Sequence, residues 1–162
     1  MSNKENTENS TLNIWERLTS FPCGKWMFSR LICFKAPYFG SIRPRFVALR
    51  PDYCEVTISK RRAVTNHLGT VHAIAMCNMA EVAGGIMTEV TVPPTHRWIP
   101  KGMTVEYLKK ASTDLVAVAT PESKLDLSKA GEYRVNVVVR DKRQEPVFQA
   151  VITMWVSPKK AA

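Results

Sequence analysis

Glu81 is the residue whose surroundings in this sequence most directly predict chemistry. It is the only charged side chain between Ala73 and Thr88, a stretch made mostly of apolar and small residues. An ionised carboxylate in such surroundings needs hydrogen-bond donors, takes up a proton more readily, or faces a cavity. A carboxylate of this kind serves as a general base or as a nucleophile. The structural alternative is that Glu81 projects from a partly exposed helix face or pairs with Arg61 or Arg62.

A polar loop, TNHLGTVH at residues 65–72, leads into this stretch. Backbone N–H groups at a helix start have no intrahelical partner and carry partial positive charge, so they polarise a carbonyl oxygen as an oxyanion site does. Asn66 is alternatively a turn or cap residue. His67 and His72 are alternatively metal ligands together with Glu81, but their spacing matches no usual zinc signature, and we expect no metal here.

One long helix is expected to position these residues. The segment Ala73–Met87 carries no run of β-branched residues and is long enough for four helical turns. Because apolar residues occupy nearly all of its faces, we expect the rest of the fold to enclose it. Gly84 and Gly85 predict the close approach of another backbone, or else a kink or an end of the helix.

Strands are expected on both sides of this helix. Alternating residues predict a hairpin from Phe46 to Ile58, and four later strands near 103–107, 115–120, 133–139 and 147–155. Two short helices precede the hairpin, and the second ends at Ala36 because the residue before a proline disfavours helix. With no helix between the later strands, we predict an α+β domain whose antiparallel sheet curls around the central helix.

Composition and charge limit the class of protein. A chain of 162 residues that is 45% hydrophobic predicts one compact domain. It has no apolar run of membrane-spanning length and no secretory signal, so we expect no integral membrane association and a cytoplasmic location. The net charge of +9 favours anionic partners, but the basic residues form no nucleic-acid-binding pattern, and we expect no nucleic acid. Four widely spaced cysteines are expected to be reduced: Cys23, Cys33, Cys54 and Cys77.

The string NHLGTVHAIAMCNMAEVAGG at residues 66–85 resembles the signature of hotdog-fold acyl-CoA thioesterases of the phenylacetate-pathway type. Residues 25–40, residues 98–111 and the final valine-rich hairpin are similar to an uncharacterised branch of that superfamily. The resemblance implies the hotdog fold, a curved antiparallel sheet wrapped around one long central helix and preceded by N-terminal helices. The expected division is a disordered polar tail at 1–10, a helical segment at 11–36 and the hotdog domain at 37–158.

The resemblance also implies roles for single residues. Asn66 is implied to position the loop or a water molecule, His72 to lie near the thioester carbonyl, and Glu81 to be the general base or nucleophile. The backbone N–H of Ala73, where the family commonly has glycine, is implied to hold the carbonyl oxygen. Ile74 stands where a second glycine often follows and narrows the space beside the carbonyl. Three residues are expected to line the substrate site: Gly69, Ile74 and Cys77. No cofactor is implied.

The function expected from these observations is hydrolysis of an acyl thioester carried by coenzyme A. Relatives act as dimers, so the resemblance implies a homodimer, or a tetramer, in which Ala73 of one chain faces Glu81 of the other. One alternative is a hydratase or dehydratase of the same fold. Another is a non-catalytic acyl- or lipid-binding protein, favoured by Ile74 and by Pro100 near the place of a usual hydroxyl. Large N-terminal side chains are expected to pack against the sheet rather than cover an acyl tunnel or contact a membrane: Trp15, Trp26, Met27 and Phe28.

Overall fold

Three helices and six strands make up residues 9–159, the part of the chain that the computed structural model describes. The helices are α1 (Ser10–Thr19), α2 (Gly24–Lys35) and α3 (Ala73–Thr91). Short 3₁₀ turns cover Pro37–Ser41 and Arg62–Val64. The strands are β1 (Arg45–Arg50), β2 (Tyr53–Ile58), β3 (His96–Tyr107), β4 (Leu115–Pro121), β5 (Gly131–Arg140) and β6 (Pro146–Pro158). No helix among these is long and apolar enough to cross a membrane.

The six strands form one antiparallel sheet in the order β1-β2-β4-β5-β6-β3. Helix α3 contacts all six of them, which shows that the sheet curves around it. The α+β class and the hotdog architecture predicted from the sequence are therefore confirmed. The core lies between the inner face of the sheet and α3, whose Met79, Ala80, Ala83 and Met87 are fully buried.

Helix α3 is longer than predicted and does not end at its glycine pair. It continues through Gly84 to Thr91. A Cβ placed on Gly84 would lie 2.8 Å from Cδ1 of Ile152 and 3.4 Å from Cγ1 of Val135. The expectation of a close backbone is therefore wrong, because side chains of the sheet, rather than its backbone, occupy the space beside this glycine.

The N-terminal helices cover the β1 side of the sheet. The rings of Trp15 and Phe28 pack edge to face at 5.0 Å, and Phe28 packs against Phe46 of β1 at 5.2 Å. Trp26 and Met27 are exposed, so the expectation that they pack against the sheet is wrong. They lie on other faces of α2 than the buried row Gly24, Phe28 and Ile32, which repeats every four residues.

The start of the described chain is ordered. Oδ1 of Asn9 accepts hydrogen bonds from the N–H groups of Thr11 and Leu12, each at 3.1 Å, and so caps α1. Ser10 is the first residue of that helix. The remainder of the tail expected at 1–10 lies outside the described residues.

Strand β3 begins seven residues earlier than predicted and includes Pro100. The pairing of β3 with β6 shifts register between Pro100 and Gly102, which marks a bulge. Proline is tolerated at this position because β3 is an edge strand, where one side of the backbone makes no ladder hydrogen bonds.

Candidate active site

The loop before α3 is built around the side chain of Asn66. Its Oδ1 accepts hydrogen bonds from the N–H groups of Leu68 at 3.0 Å and Thr70 at 3.2 Å. Gly69 has φ +72°, a left-handed conformation that glycine adopts at little cost, and its N–H donates to the carbonyl of Asn66 at 3.0 Å. Asn66 therefore stabilises the turn in this loop. This is the turn role that the sequence offered as an alternative for Asn66.

Backbone hydrogen bonds fix this loop to the rest of the fold. Thr65 and Val71 form an isolated antiparallel bridge across its base. The N–H of His72 donates to the carbonyl of Val64 at 2.8 Å, and the N–H of Val71 donates to that of Ala111 at 2.8 Å. The start of α3 is consequently held in place on both sides.

His72 is the N-cap of α3. Its backbone is extended, with φ −64° and ψ 140°, and its Nδ1 accepts the N–H of Ile74 at 3.1 Å. An Nδ1 that accepts is unprotonated, so in the neutral ring the proton lies on Nε2, which is then a donor. The exposed imidazole thus presents a hydrogen-bond donor to solvent or to a ligand at the helix start.

Ala73 provides the free N–H of this helix start. The N–H of Ile74 is taken by His72, and those of Ala75 and Met76 donate to the carbonyl of His72. Among residues 9–159, no acceptor lies opposite the N–H of Ala73. It is therefore the group available to hold an oxyanion, as the resemblance implies. The Ile74 side chain beside it is exposed.

Glu81 lies on the exposed face of α3. In the described part of the chain it forms no ion pair, and Arg61 instead donates to the carbonyl of Ser41 at 2.5 Å. Eight residues of helix separate Glu81 from Ala73, about 12 Å along the axis at 1.5 Å per residue. A base and an oxyanion donor must each lie within about 3 Å of their reacting atoms. The two groups of one chain therefore do not meet at one carbonyl.

Tyr107 contacts Cys77, one of the predicted substrate-site residues, and sequence reasoning missed this contact. Its hydroxyl lies 3.2 Å from Sγ of Cys77, one turn before Glu81. The pKa of Tyr107 is raised above its usual range, chiefly by the hydrogen bond with Cys77 and secondly by burial. Nothing near Tyr107 in the sequence signals this contact. Tyr107 lies at the end of β3, and it meets Cys77 of α3 only because the folded sheet packs against that helix. Cys77 itself is partly exposed, one helical turn before Glu81.

Two cavities lie at opposite ends of α3. The larger, of about 530 Å³, is lined by Glu89, His96 and Trp98 and is remote from the predicted site; there Nε1 of Trp98 donates to Glu89 at 2.8 Å. The smaller, of about 180 Å³, lies at the helix start beside His72 and Ile74. We place the candidate site at the helix start because His72, which precedes Ala73, lines the smaller cavity; Ala73, Cys77 and Glu81 do not line it.

Within the described residues, no three His, Cys, Asp or Glu side chains come close enough together to hold a metal ion. His67 is exposed on the loop, away from the capping contact that His72 makes.

A sheet wrapped around one helix, with this loop at the helix start, defines a hotdog-fold protein. The chain belongs to the family described as a domain of unknown function, DUF4442, whose model matches residues 24–156. Comparison with curated proteins gave no match.

Solved structures share this fold over most of the chain. A structural-genomics protein is 50% identical, with a TM-score of 0.81 over 92% of this chain and 99% of that one. A Pseudomonas aeruginosa protein of unknown function, described as a probable thioesterase, is 21% identical, with a TM-score of 0.72 over 81% and 93%. A Haemophilus influenzae thioesterase is 14% identical, with a TM-score of 0.68 over 76% and 85%. The last two likenesses show the fold alone, and the thioesterase descriptions belong to those two proteins.

Proposed function

We propose that this protein is a thioester hydrolase acting on acyl-CoA or a related acyl thioester. The observation that carries the proposal is the free N–H of Ala73, held by the Asn66 loop at the start of the helix that bears Glu81. The arrangement provides an oxyanion donor and a carboxylate, which are the two groups that hydrolysis of a thioester needs. The hotdog fold, shared with proteins described as thioesterases, supports it.

The active site is shared between two copies of the chain. Because Glu81 lies about 12 Å along the helix from Ala73, Glu81 of the partner subunit must complete the site. Two α3 helices packed antiparallel through their exposed faces would place each carboxylate beside the opposite helix start. A homodimer is therefore the functional unit.

The edge of β3 is a second surface, beside the exposed face of α3, through which the two copies pair. The other edge is covered, since Ser29 accepts the N–H of Phe46 at 3.0 Å and Lys25 donates to the carbonyl of Val47 at 2.7 Å. Over the described residues, nothing covers the outer edge of β3, which exposes the apolar side chains of Ile99 and Met103. A long uncovered edge strand is a template for pairing with another strand.

Hydrolysis in the assembled site follows from these positions. The substrate carbonyl oxygen accepts the N–H of Ala73, and Nε2–H of His72 lies at the same helix start. Glu81 of the partner subunit either attacks the carbonyl carbon, giving a mixed anhydride that water then cleaves, or deprotonates the water that attacks. In both routes the C–S bond breaks and the carrier leaves as a thiolate, which takes a proton from the protonated Glu81 carboxyl in the general-base route and from water in the nucleophilic route.

Positive charge near the helix start suits the phosphates of coenzyme A. Burial lowers the pKa of Arg61, and the positive charge of nearby Arg43 lowers it further. Neither they nor Arg62 form an ion pair in the part of the chain that the structure describes. We further propose that the protein acts on these thioesters in the cytoplasm.

The test is release of free thiol from short, medium, long and aromatic acyl-CoA thioesters. We expect the wild type to hydrolyse at least one class and Glu81→Gln to lose about 100-fold or more of that rate. Glu16→Gln removes another exposed helical carboxylate, on α1, and serves as the matched control with unchanged rate. Equal rates for wild type and Glu81→Gln would exclude the carboxylate. No release by a folded dimer that retains acyl-CoA would identify the acyl-binding alternative.

A further inference from the structure

Helix α2 carries a row of large apolar side chains on its solvent side. Trp26 and Phe34 are 55% and 82% exposed, and Met27 beside them is 47% exposed. Arg30, also exposed, lies one helical turn from Trp26 and one from Phe34, so all four share the side of α2 that faces away from its buried row. We call these four residues the outer face of α2.

An apolar surface of this kind is unusual on a soluble domain. Single exposed apolar side chains are ordinary, but three large ones on one helix face form a patch that contacts a partner or a membrane. The chain on either side of α2 is similar, since Phe21 before it and Tyr38 after it are also exposed. The outer face therefore requires an explanation other than core packing.

The charge around this face has one sign. Residues 17–51 contain seven Lys and Arg residues and no Asp or Glu, whereas an even distribution of the chain's 14 acidic residues would place about three there. This segment comprises α2, the end of α1, the Pro37–Ser41 turn and β1, and each of the other three contacts α2. Within residues 9–159, none of the seven cations forms an ion pair. The face therefore attracts an anionic partner and repels a second copy of itself.

A recess beside Trp26 adds two of these cations to the apolar face. It has a volume of about 320 Å³, and its lining includes Lys25, Trp26 and Arg45 but no carboxylate. Nζ of Lys25 donates to the carbonyl of Val47 at 2.7 Å, which leaves two of its N–H groups for a ligand. Tryptophan lies at the boundary between headgroups and acyl chains in a bilayer, which is also the level of the lipid phosphates that attract Lys and Arg.

We propose that the outer face of α2 docks this protein on the surface of a bilayer that contains anionic phospholipids. Trp26, Met27 and Phe34 enter the boundary between headgroups and acyl chains, while Arg30 and the cations around it contact lipid phosphates. Lipid suits this face better than nucleic acid does, because Met27 and Phe34 gain most by leaving water for acyl chains. The helix has 12 residues, about 18 Å in length, so it lies along the surface. The inference does not depend on the proposed hydrolysis.

Docking through this face leaves the proposed active site free. Helix α2 packs on β1, at one edge of the sheet, whereas the proposed contacts between subunits use α3 and the opposite edge strand, β3. A dimer can therefore use the outer face of α2 without losing its pairing surface.

The test is cosedimentation of the full chain with vesicles of phosphatidylcholine alone, and with vesicles of equal parts phosphatidylcholine and phosphatidylglycerol. We expect partitioning to the mixed vesicles to be about tenfold stronger or more, and to weaken as salt is raised. Trp26→Ser/Phe34→Ser should weaken it about tenfold or more, because two side chains no longer bury apolar surface. Leu127→Ser, which removes an exposed apolar side chain between β4 and β5, is the matched control with unchanged binding.

Fluorescence quenching by phospholipids brominated in their acyl chains tests insertion directly. We expect mixed vesicles of this kind to quench the tryptophan fluorescence of the wild type. Trp26→Phe should still bind, since it keeps an aromatic ring, but should lose most of that quenching. Because it exchanges one exposed ring for another, this variant provides the readout even if Trp26→Ser/Phe34→Ser does not fold.

Four results would overturn the proposal. The first is no binding of the wild type to mixed vesicles. The second is binding that Trp26→Ser/Phe34→Ser retains or that occurs without quenching of Trp26, since both indicate adsorption by net charge alone. The third is binding of the wild type to polyuridylate, but not to vesicles, that the double variant loses, which would assign the face to nucleic acid. The fourth is a changed sedimentation coefficient of the lipid-free double variant, which would assign the face to contacts between copies.

Discussion

Nδ1 of His72 accepts the backbone N–H of Ile74 at 3.1 Å, so the histidine of the candidate site is also the N-cap of its helix. The same bond gives the ring its orientation and directs the proton to Nε2. The proposed hydrolysis would therefore give this one side chain a role in activity as well as in stability, and substitutions that separate the two roles are available.

His72→Ala and His72→Ser are expected to behave differently. Alanine removes the cap and should lower the free energy of unfolding by about 1 kcal/mol, whereas serine is itself a good N-cap and should restore most of that loss. Both lack the Nε2–H donor and should lose about tenfold or more in thiol release. Urea denaturation and the thiol assay measure the two effects. Full activity in His72→Ser would show that His72 is only a cap.

Gly69→Ala should destabilise the loop through its backbone alone. No atom lies within 4 Å of a Cβ built at Gly69, but its φ of +72° is unfavourable for residues with a side chain. We expect a loss of about 1 kcal/mol in unfolding free energy and a lower thiol-release rate. Gly131→Ala is the matched control, because its Cβ also meets open space and its φ is ordinary. A loss of the same size in both variants would contradict this explanation.

Asp114 should make stability depend on acid pH. The N–H of Lys60 donates to it at 2.8 Å, and this bond, followed by that of Lys142, lowers the pKa of its carboxyl group. A lowered folded-state pKa stabilises the protein above the unfolded pKa, and the benefit is lost as pH falls through the folded value. Asp114→Asn should therefore be less stable than wild type at pH 7 and equally stable near pH 2. Denaturation curves at both pH values test this, and an unchanged difference between them would contradict it.

A shared active site predicts complementation between inactive chains. Co-expressing Glu81→Gln and His72→Ala chains with different tags should give mixed dimers in which one of the two sites has both residues intact. Random pairing should recover about a quarter of wild-type thiol release from two nearly inactive parents. Purification through both tags isolates the mixed dimers. Absence of recovery in them would place both residues of a site in one chain and exclude the dimeric arrangement.

Local pattern was sufficient for most of the helices and strands, and it also selected the residues that the candidate site is proposed to use. The charged residue in an apolar stretch identified Glu81, and helix-starting polar residues identified the loop from Asn66 to His72. Side-chain periods of two and of 3.6 residues follow directly from backbone geometry, so the hairpin, the later strands and α3 were readable along the chain. The class of fold followed from their order.

Tertiary structure decided what depends on neighbours distant in sequence. Periodicity did not show that Trp26 faces solvent while Phe28 is buried, because the choice depends on where α2 meets β1. The contact of Cys77 with Tyr107 arises between segments that only the folded sheet brings together. Sequence alone determined which residues can do chemistry, since that is a property of each side chain. Packing decided which of them meet, since distance and burial exist only in the folded chain.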